Sequence, residues 1–179
     1  MADTDGDREL AEAAVSGDHD ALSELLRLHG AVVRRALAGE FGRVLRGVLD
    51  VEDVMQVTYL EAFLRIRHFV PRGDGSFTAW LQDIARNNLR DAVREHWLPA
   101  LLAFRPQLLL VSAGVDAHRE DPLAGLSLGD ADYAWVTREL CYVANKHAHG
   151  RIVSTLEGGY ALSALGRAAA EHVKELIAG

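Results

Sequence analysis

The chain has 179 residues, a net charge of −7 and an apolar fraction of 49%. This length fits one ordinary domain or two small ones, and the composition is that of a globular chain rather than a fibrous one. A single cysteine excludes an internal disulfide, so we expect Cys141 to be a small buried residue in a reducing compartment. The acidic amino terminus does not resemble a secretory signal, and no apolar run is long enough to span a bilayer. These features predict a cytoplasmic protein without a membrane contact.

Acidic residues outnumber basic ones on both sides of residue 95. Any contact with nucleic acid must therefore come from a local basic patch and not from the charge of a whole domain.

Up to about residue 95 the apolar residues recur with the period of a helix. One stripe follows the cap-like segment SGDHDA, and another follows Asp50, Glu52 and Asp53, whose charges suit a helix amino terminus. The residues predicted to face inward are Leu22, Leu25, Leu26, His29, Val32, Val33, Ala36 and Leu37, then Met55, Tyr59, Ala62, Phe63 and Ile66.

The segment VPRGDGS then predicts a loop, and a third amphipathic helix follows it. Its inward residues are expected to be Phe77, Trp80, Leu81, Ile84, Ala85, Leu89 and Val93. On the other side Arg86, Arg90 and Arg94 recur every four residues, which predicts one basic ridge. That ridge has two interpretations, a phosphate-binding surface or a solvated face paired with Asp83 and Asp91.

After residue 96 the pattern changes. LLLVSAG predicts a buried parallel strand that ends at Gly114, and RIVSTLEGG predicts a second strand. The helix between them has Asp130 as its expected cap and Gly150 as its end, and ALSALGRAAAEHVKELIAG predicts a last helix. The fold class is therefore a two-part α+β chain, an all-α bundle followed by a small βαβα parallel fragment. Two strands leave open edges, so we expect self-association through them.

The segments DVEDVMQVTYLEAFLRIRHF and GSFTAWLQDIARNNLRDAVRE, within residues 5–95, resemble region 2 of extracytoplasmic-function-type bacterial sigma factors. The resemblance implies binding to core RNA polymerase through Asp53, Gln56, Glu61 and Arg65. It also implies contact with the melted −10 promoter strand through Phe77, Trp80, Arg86, Asn87, Arg90 and Arg94, the first two as supporting residues. Cations along a backbone and an amide near an unstacked base suit single-stranded DNA. Nothing after residue 96 resembles the second DNA-binding domain of such factors, so we do not expect this chain to initiate transcription autonomously.

The segments WLPALLAFRPQLLLVSAGVDAHREDPLAGLSL and GRIVSTLEGGYALSALGRAAAEHV, from residue 97 onward, resemble the carboxy-terminal part of zinc-dependent histone-deacetylase-like amidohydrolases. The resemblance implies that Asp116 is a zinc ligand, that Tyr160 stabilises the oxyanion, and that Leu123 lines the substrate channel. Val115 occupies a position where an aromatic residue is common.

A hydrolytic zinc site needs three protein ligands and a base, and the family takes the missing ones from upstream sequence that here is sigma-like. Asp116 and His118 have ligand-like spacing, and His147 and His149 offer further imidazoles. In the family, however, the histidine of this turn is structural, and a helix end suits cations without a metal. We therefore expect no competent metal site, and zinc only if another chain completes it.

The two patterns meet near Arg94 to Trp97, which divides the chain into a sigma-like domain, 1–95, and a truncated deacetylase-like segment, 96–179. Three hypotheses follow: a transcription-related binding module, an amidohydrolase completed by another chain or by dimerisation, and a fusion without an evolved function. Because the helical part can form its own core, the first is favoured, and the chain alone is not expected to be an enzyme.

Overall fold

The computed structural model describes residues 5–40, 51–121 and 128–179. Helices in the first part of the chain are α1 (Asp5–Val15), α2 (His19–Glu40), α3 (Val51–Arg65) with a 3-10 turn (Ile66–His68), and α4 (Ser76–Ala92). A π-helical turn (Val93–Trp97) and α5 (Leu98–Phe104) come next, then β1 (Leu109–Ala113), α6 (Asp130–His147), β2 (Ile152–Leu156) and α7 (Leu162–Ala178). The prediction of a helix-rich chain with a small parallel sheet is confirmed.

The chain separates into two compact units, Met1–Asp91 and Ala92–Gly179. The division into a sigma-like part and a deacetylase-like part after residue 95 stays a prediction. Among the described helices, none combines the length and the apolar character that a bilayer crossing requires.

In the first unit, α2 begins as the cap-like segment predicts. The Asp18 carboxylate accepts hydrogen bonds from the backbone amides of Asp20 (2.9 Å) and Ala21 (3.1 Å). These amides have no partner within the helix, so the aspartate replaces the missing acceptor. The buried apolar residues of the unit include Ala14, Leu22, Leu25, Val33, Leu37, Met55, Ala62, Ile66, Phe77, Leu81, Ile84 and Ala85.

Two residues predicted to face inward are exposed, and at these positions the prediction is wrong. Val32 is 44% exposed and Phe63 is 46% exposed. At about 100° per residue both lie at the margin of their helical stripes, where a small rotation of the helix exposes a side chain. The Phe63 ring instead lies 4.9 Å from the His19 ring.

Polar contacts inside the first unit fix the position of α4. Thr58 donates a hydrogen bond to the Val54 carbonyl (2.7 Å) and accepts one from the Asn88 amide (3.2 Å). His29 contacts the Thr78 hydroxyl through Nδ1 at 2.7 Å. These buried and half-buried groups bond to one another, so α4 is tied to α2 and α3 by directional bonds as well as by packing.

In the second unit, helices pack on one face of the sheet. Leu98 of α5, Leu109 of β1 and Leu140, Val143 and Ala144 of α6 form its buried centre. On the other face Leu110 is 76% exposed and Val153 is 51% exposed. The prediction of a buried parallel strand is therefore wrong for this face, which no described residue covers.

The ends of α6 differ from the sequence expectation at one point. Its cap is Gly129 and not Asp130: the Gly129 amide donates to the Asp132 carboxylate (2.8 Å), and Asp130 is the first helical residue. At the other end His149 (φ 52°) and Gly150 (φ 73°) turn left-handed, and the Gly150 amide donates to the Ala144 carbonyl (3.1 Å). Left-handed residues commonly end helices in this way.

Candidate functional site

The loops that follow the two strands lie side by side. Because β1 and β2 are parallel, with Leu109 opposite Ile152, their carboxyl ends reach the same edge of the sheet. The Glu157 amide donates to the Ala113 carbonyl (3.0 Å), and the Val115 amide donates to the Gly158 carbonyl (3.3 Å). The pairing thus extends past the strands and brings the loops that carry Asp116 and Tyr160 together.

Two glycines make room for the carboxylate of Asp116. A Cβ atom at Gly158, where φ is +78°, would lie 2.9 Å from its Oδ2, and a Cβ atom at Gly114 would lie 3.0 Å from its Oδ1. Either substitution would need an atom to move, and the left-handed φ at Gly158 adds strain for any other residue. Among the described residues the half-buried Asp116 carboxylate accepts no hydrogen bond.

Asp121, which the sequence interpretation did not single out, positions Tyr160. Its carboxylate accepts hydrogen bonds from the backbone amides of Tyr160 (2.6 Å) and Ala161 (3.1 Å), and the residue is only 5% exposed. The tyrosine side chain itself is 60% exposed. An aspartate before a proline in a polar turn is a common turn residue, so its sequence gave no sign of this long-range contact. Leu123, the predicted channel residue, lies outside the described residues.

His118 is structural, as expected. It is 1% exposed; Nδ1 accepts from the Glu120 amide (3.1 Å) and Nε2 donates to the Asp130 carboxylate (3.1 Å). Both ring nitrogens are thereby used, which leaves no lone pair for a metal ion.

Arg167 completes this polar cluster. It donates to the carboxylates of Asp130 (3.1 Å) and Glu120 (2.5 Å). The hydrogen bond from Arg167 lowers the pKa of Glu120, and the bonds to Glu120 and Asp130 raise the pKa of Arg167. The cluster therefore holds the Asp116 loop to α6 and α7 and supports the site without entering it.

The residues present do not fit the zinc ion that the deacetylase resemblance implies. In the described ranges, no group of three His, Cys, Asp or Glu side chains is placed to hold a metal. His147 and His149 line a different concavity, at the amino-terminal ends of the strands, with Arg105, Gln107, Lys146 and Arg151. Asp116 is thus one candidate ligand where zinc sites use three or four, so the described residues alone do not form a catalytic zinc site.

In the first unit, α3 presents an apolar strip to solvent. Val57 (47% exposed), Leu60 (60%) and Leu64 (66%) lie on one side of the helix, opposite buried Met55 and Ala62. The predicted polymerase-binding residues lie along this strip: Asp53, Gln56 and Arg65 are exposed, and Glu61 is half-buried and pairs with Arg65 at 3.2 Å.

The predicted DNA-contacting residues of α4 fall into two groups. Phe77 is 2% exposed, and its ring lies 5.5 Å from that of Trp80 and 5.6 Å from that of Phe69. It can therefore affect DNA only by supporting the helix. Asn87 is exposed, and Arg90 is half-buried.

The predicted ridge of three arginines does not continue as a simple α-helical row. The Arg86 guanidinium pairs with Asp83 at 2.9 Å, as the solvated-face interpretation predicts for that residue. Arg94 lies in the π-helical turn of the second unit, with its guanidinium 5.1 Å from the Trp135 ring centroid. Because a π turn has more residues per turn than an α-helix, residues four apart do not lie on one side of the helix there.

Comparison with known families places both parts of the chain. The family description "Histone deacetylase domain" matches residues 72–176, and "Sigma-70 region 2" matches residues 28–98. The first match covers more than half of the chain, which therefore belongs to the histone deacetylase family. The chain is a fusion of a sigma region 2 segment and a histone-deacetylase-like segment, as the sequence predicts, and the two matches overlap from residue 72 to residue 98.

Similar proteins include Type-2 histone deacetylase 2 of Dictyostelium discoideum, 40% identical over 52% of this chain and 6% of that protein. A histone deacetylase-like amidohydrolase of Pseudomonas aeruginosa is 46% identical over 35% of this chain and 17% of its own length. The crystal structure of the HDA15 HD domain aligns with a TM-score of 0.45 and 33% identity, over 49% of this chain and 24% of that one. The chain thus spans less than a third of the length of each of these relatives.

Proposed function

We propose that residues 1–95 are a sigma region 2-like helical bundle that binds bacterial core RNA polymerase and the melted −10 strand of promoter DNA. Residues 96–179 are in this proposal a βαβα fragment of the deacetylase fold that does not hydrolyse amides alone. The match to sigma-70 region 2 over residues 28–98 supports the first part. In this role the chain would act in the cytoplasm of a bacterium.

The exposed strip of α3 is the observation that carries the proposal. Helix α3 buries one apolar side in its own unit and keeps a second apolar side, Val57, Leu60 and Leu64, in water. Contiguous exposed apolar residues with a polar rim are typical of an interaction surface. The rim consists of the predicted docking residues Asp53, Gln56, Glu61 and Arg65.

The test is capture of purified bacterial core RNA polymerase by the full chain and by two variants, Asp53→Ala/Gln56→Ala and Leu60→Ser. All three residues are exposed, so the variants should fold, and we expect capture to be lost in both. The control is Arg8→Ala/Glu12→Ala, which removes an exposed ion pair on α1 (3.0 Å) and should bind like the original chain. A folded chain that captures no polymerase, or variants that capture it equally, would reject the docking role.

Promoter binding has its own test, because DNA contact resides on α4 and not on α3. The proposed contacts are Arg86, Asn87, Arg90 and Arg94, with Phe77 and Trp80 supporting the helix. Replacing exposed Asn87 by alanine should weaken binding of a −10 oligonucleotide more than that of a scrambled one, because an amide reads base edges. Fluorescence anisotropy of the polymerase complex measures this, and equal loss on both oligonucleotides would contradict base recognition by Asn87.

A second candidate function is an amidohydrolase that another chain completes. Asp116 and Tyr160 lie at one edge of the sheet, which favours this function. Gly114 and Gly158 leave room for the Asp116 carboxylate, and Asp121 holds the backbone of Tyr160. Under this proposal Asp116 is a zinc ligand, Tyr160 stabilises the oxyanion and Leu123 lines the channel. One zinc ion per chain, with amide hydrolysis that Tyr160→Phe removes, would support it. A folded chain that fails every binding and activity test would favour a fusion without evolved function.

A further inference from the structure

A basic concavity lies at the end of the second unit opposite to Asp116 and Tyr160. It has a volume of about 570 Å³, and its lining residues come from two chain segments: Arg105 and Gln107 from the first, and Lys146, His147, His149 and Arg151 from the second. The lining contains no acidic residue. In a chain with a net charge of −7, this is a local concentration of positive charge.

The cations of this concavity are not used in ion pairs. In the described part of the chain, Arg105, Lys146 and Arg151 pair with no carboxylate, whereas Arg138, Arg167 and Lys174 of the same unit all do. Lys146 donates instead to the Tyr142 hydroxyl at 3.2 Å. The end of α6 explains part of this charge, because cations offset the negative end of a helix dipole. It does not explain Arg105 and Arg151, which lie outside that helix.

Two residues with a left-handed backbone line the concavity. Arg105 (φ 55°) and His149 (φ 52°) are the non-glycine residues with positive φ in the described ranges, and both line it. A left-handed non-glycine residue costs about 1–2 kcal/mol, so glycine would be the favourable choice at both positions. Arg105 is the carboxy-terminal cap of α5, and His149 follows the end of α6, where left-handed residues commonly end helices.

Backbone and side-chain bonds hold the lining in place. Arg151 donates from Nε to the Gln107 carbonyl at 2.9 Å, and the Leu109 amide donates to the Arg151 carbonyl at 3.1 Å. The Arg105 amide donates to the Leu101 carbonyl at 3.1 Å, which ends α5 at the rim. The loops that carry the cations are therefore fixed before any ligand arrives.

We propose that this concavity binds a small anion with two or more linked phosphate groups. Guanidinium and ammonium groups are the usual partners of phosphate oxygens, and Arg matches them with paired donors. A ligand with a single carboxylate would neutralise only one of the cations, whereas linked phosphate groups would neutralise more than one. An open concavity of about 570 Å³ has room for a chain of phosphates.

The test is isothermal titration of the full chain with tripolyphosphate, with Lys146→Gln, Arg105→Gly and the control Lys174→Gln compared. Lys174 is also an exposed lysine of this unit but lies outside the concavity. We expect one tripolyphosphate per chain, with affinity lowered about tenfold by Lys146→Gln, since a hydrogen bond to a charged group is strong. Lys174→Gln should leave the affinity unchanged.

Arg105→Gly separates binding from folding. It removes a cation and also relieves the left-handed strain, so we expect weaker tripolyphosphate binding together with a thermal midpoint that does not fall. No binding, or equal binding by the original chain and both concavity variants, would overturn the proposal. A single-stranded oligonucleotide of equal charge that binds more tightly, and does so independently of Lys146 and Arg105, would overturn it too.

Discussion

Gly158 has the most constrained position near the candidate site. Its φ of +78° and the 2.9 Å from an added Cβ to the Asp116 carboxylate mean that alanine must both strain the backbone and displace a charge. We expect Gly158→Ala to lower the free energy of unfolding by about 1–3 kcal/mol. Gly166→Ala is the matched control: it lies within α7 with no atom near an added Cβ, and should raise stability by about 0.5–1 kcal/mol. Urea denaturation measures both, and a stable Gly158→Ala would contradict the close approach.

Asp121 gives a second prediction at the scale of one residue. Replacing it with alanine leaves the amides of Tyr160 and Ala161 without their acceptor, at a cost of roughly 1–3 kcal/mol. Hydrogen exchange at these two amides should accelerate. Asp116→Asn, which changes a carboxylate that accepts no hydrogen bond from a described residue, should leave the exchange unchanged. Unchanged exchange in Asp121→Ala would show that another group holds the loop.

The motifs around Asp116 and Tyr160 allowed both residues to be chosen from sequence, but their support was not predictable. Asp121 contacts a residue 39 positions away, and such a contact leaves no periodic signal. The sequence also predicts the wrong cap for α6, Asp130 in place of Gly129. Gly129 carries no capping side chain, and the acceptor is supplied by Asp132 three residues later, as in a capping box.

At the scale of elements, His172 joins α7 to β2 and α6. Its Nε2 lies 2.8 Å from the Ser154 hydroxyl, and its Nδ1 lies 2.7 Å from the Thr137 hydroxyl. Thr137 donates its own proton to the Tyr133 carbonyl (2.6 Å), so its oxygen accepts from Nδ1, and in the neutral ring Nε2 accepts from Ser154. Burial lowers the pKa of His172 below its ordinary value of 6.5.

This contact predicts a pH dependence of stability. Because the pKa is lower in the folded state, the unfolded chain binds the proton first, and stability falls as the pH drops from about 6.5 through the folded pKa. Above about 6.5 the contribution is fully present. The difference in unfolding free energy between the original chain and His172→Gln should therefore shrink on acidification. A difference that is constant between pH 7.5 and pH 5 would contradict a lowered pKa of the half-buried His172.

Periodicity located the helices of the first unit but predicted wrongly which residues at the edges of their apolar stripes are buried. Val32 and Phe63 are apolar and belong to predicted stripes, yet both are exposed, as are Leu60 and Leu64 of α3. A helix with apolar residues on two sides has no single preferred buried face in its sequence pattern. Tertiary packing decides which side is buried, and the other side stays exposed. The π-helical turn gave no sequence signal at all.

At the scale of the molecule, the open face of the sheet predicts self-association. Leu110 (76% exposed) pairs across the sheet with Val153 (51% exposed), and no described residue covers them. Exposed apolar strands with open edges readily pair with a second copy. We expect the chain to associate with increasing concentration, and Leu110→Lys to shift it toward monomer in sedimentation experiments. Ile177→Lys, which changes an exposed residue of α7 (81%), should not do so. A monomer at all concentrations would reject this prediction.

The distribution of tryptophan gives each unit its own optical reporter. Trp80 belongs to the first unit, whereas Trp97 packs against the core of the second and Trp135 lies under Arg94. Replacing Trp80 with phenylalanine leaves an emission spectrum that comes from the second unit alone, and replacing the other two leaves the first. The melting curves of these two proteins would show whether the fused chain unfolds in one transition or in two. Two midpoints would mean that each family segment kept its own core, and a shared midpoint would mean that the fusion made one cooperative protein.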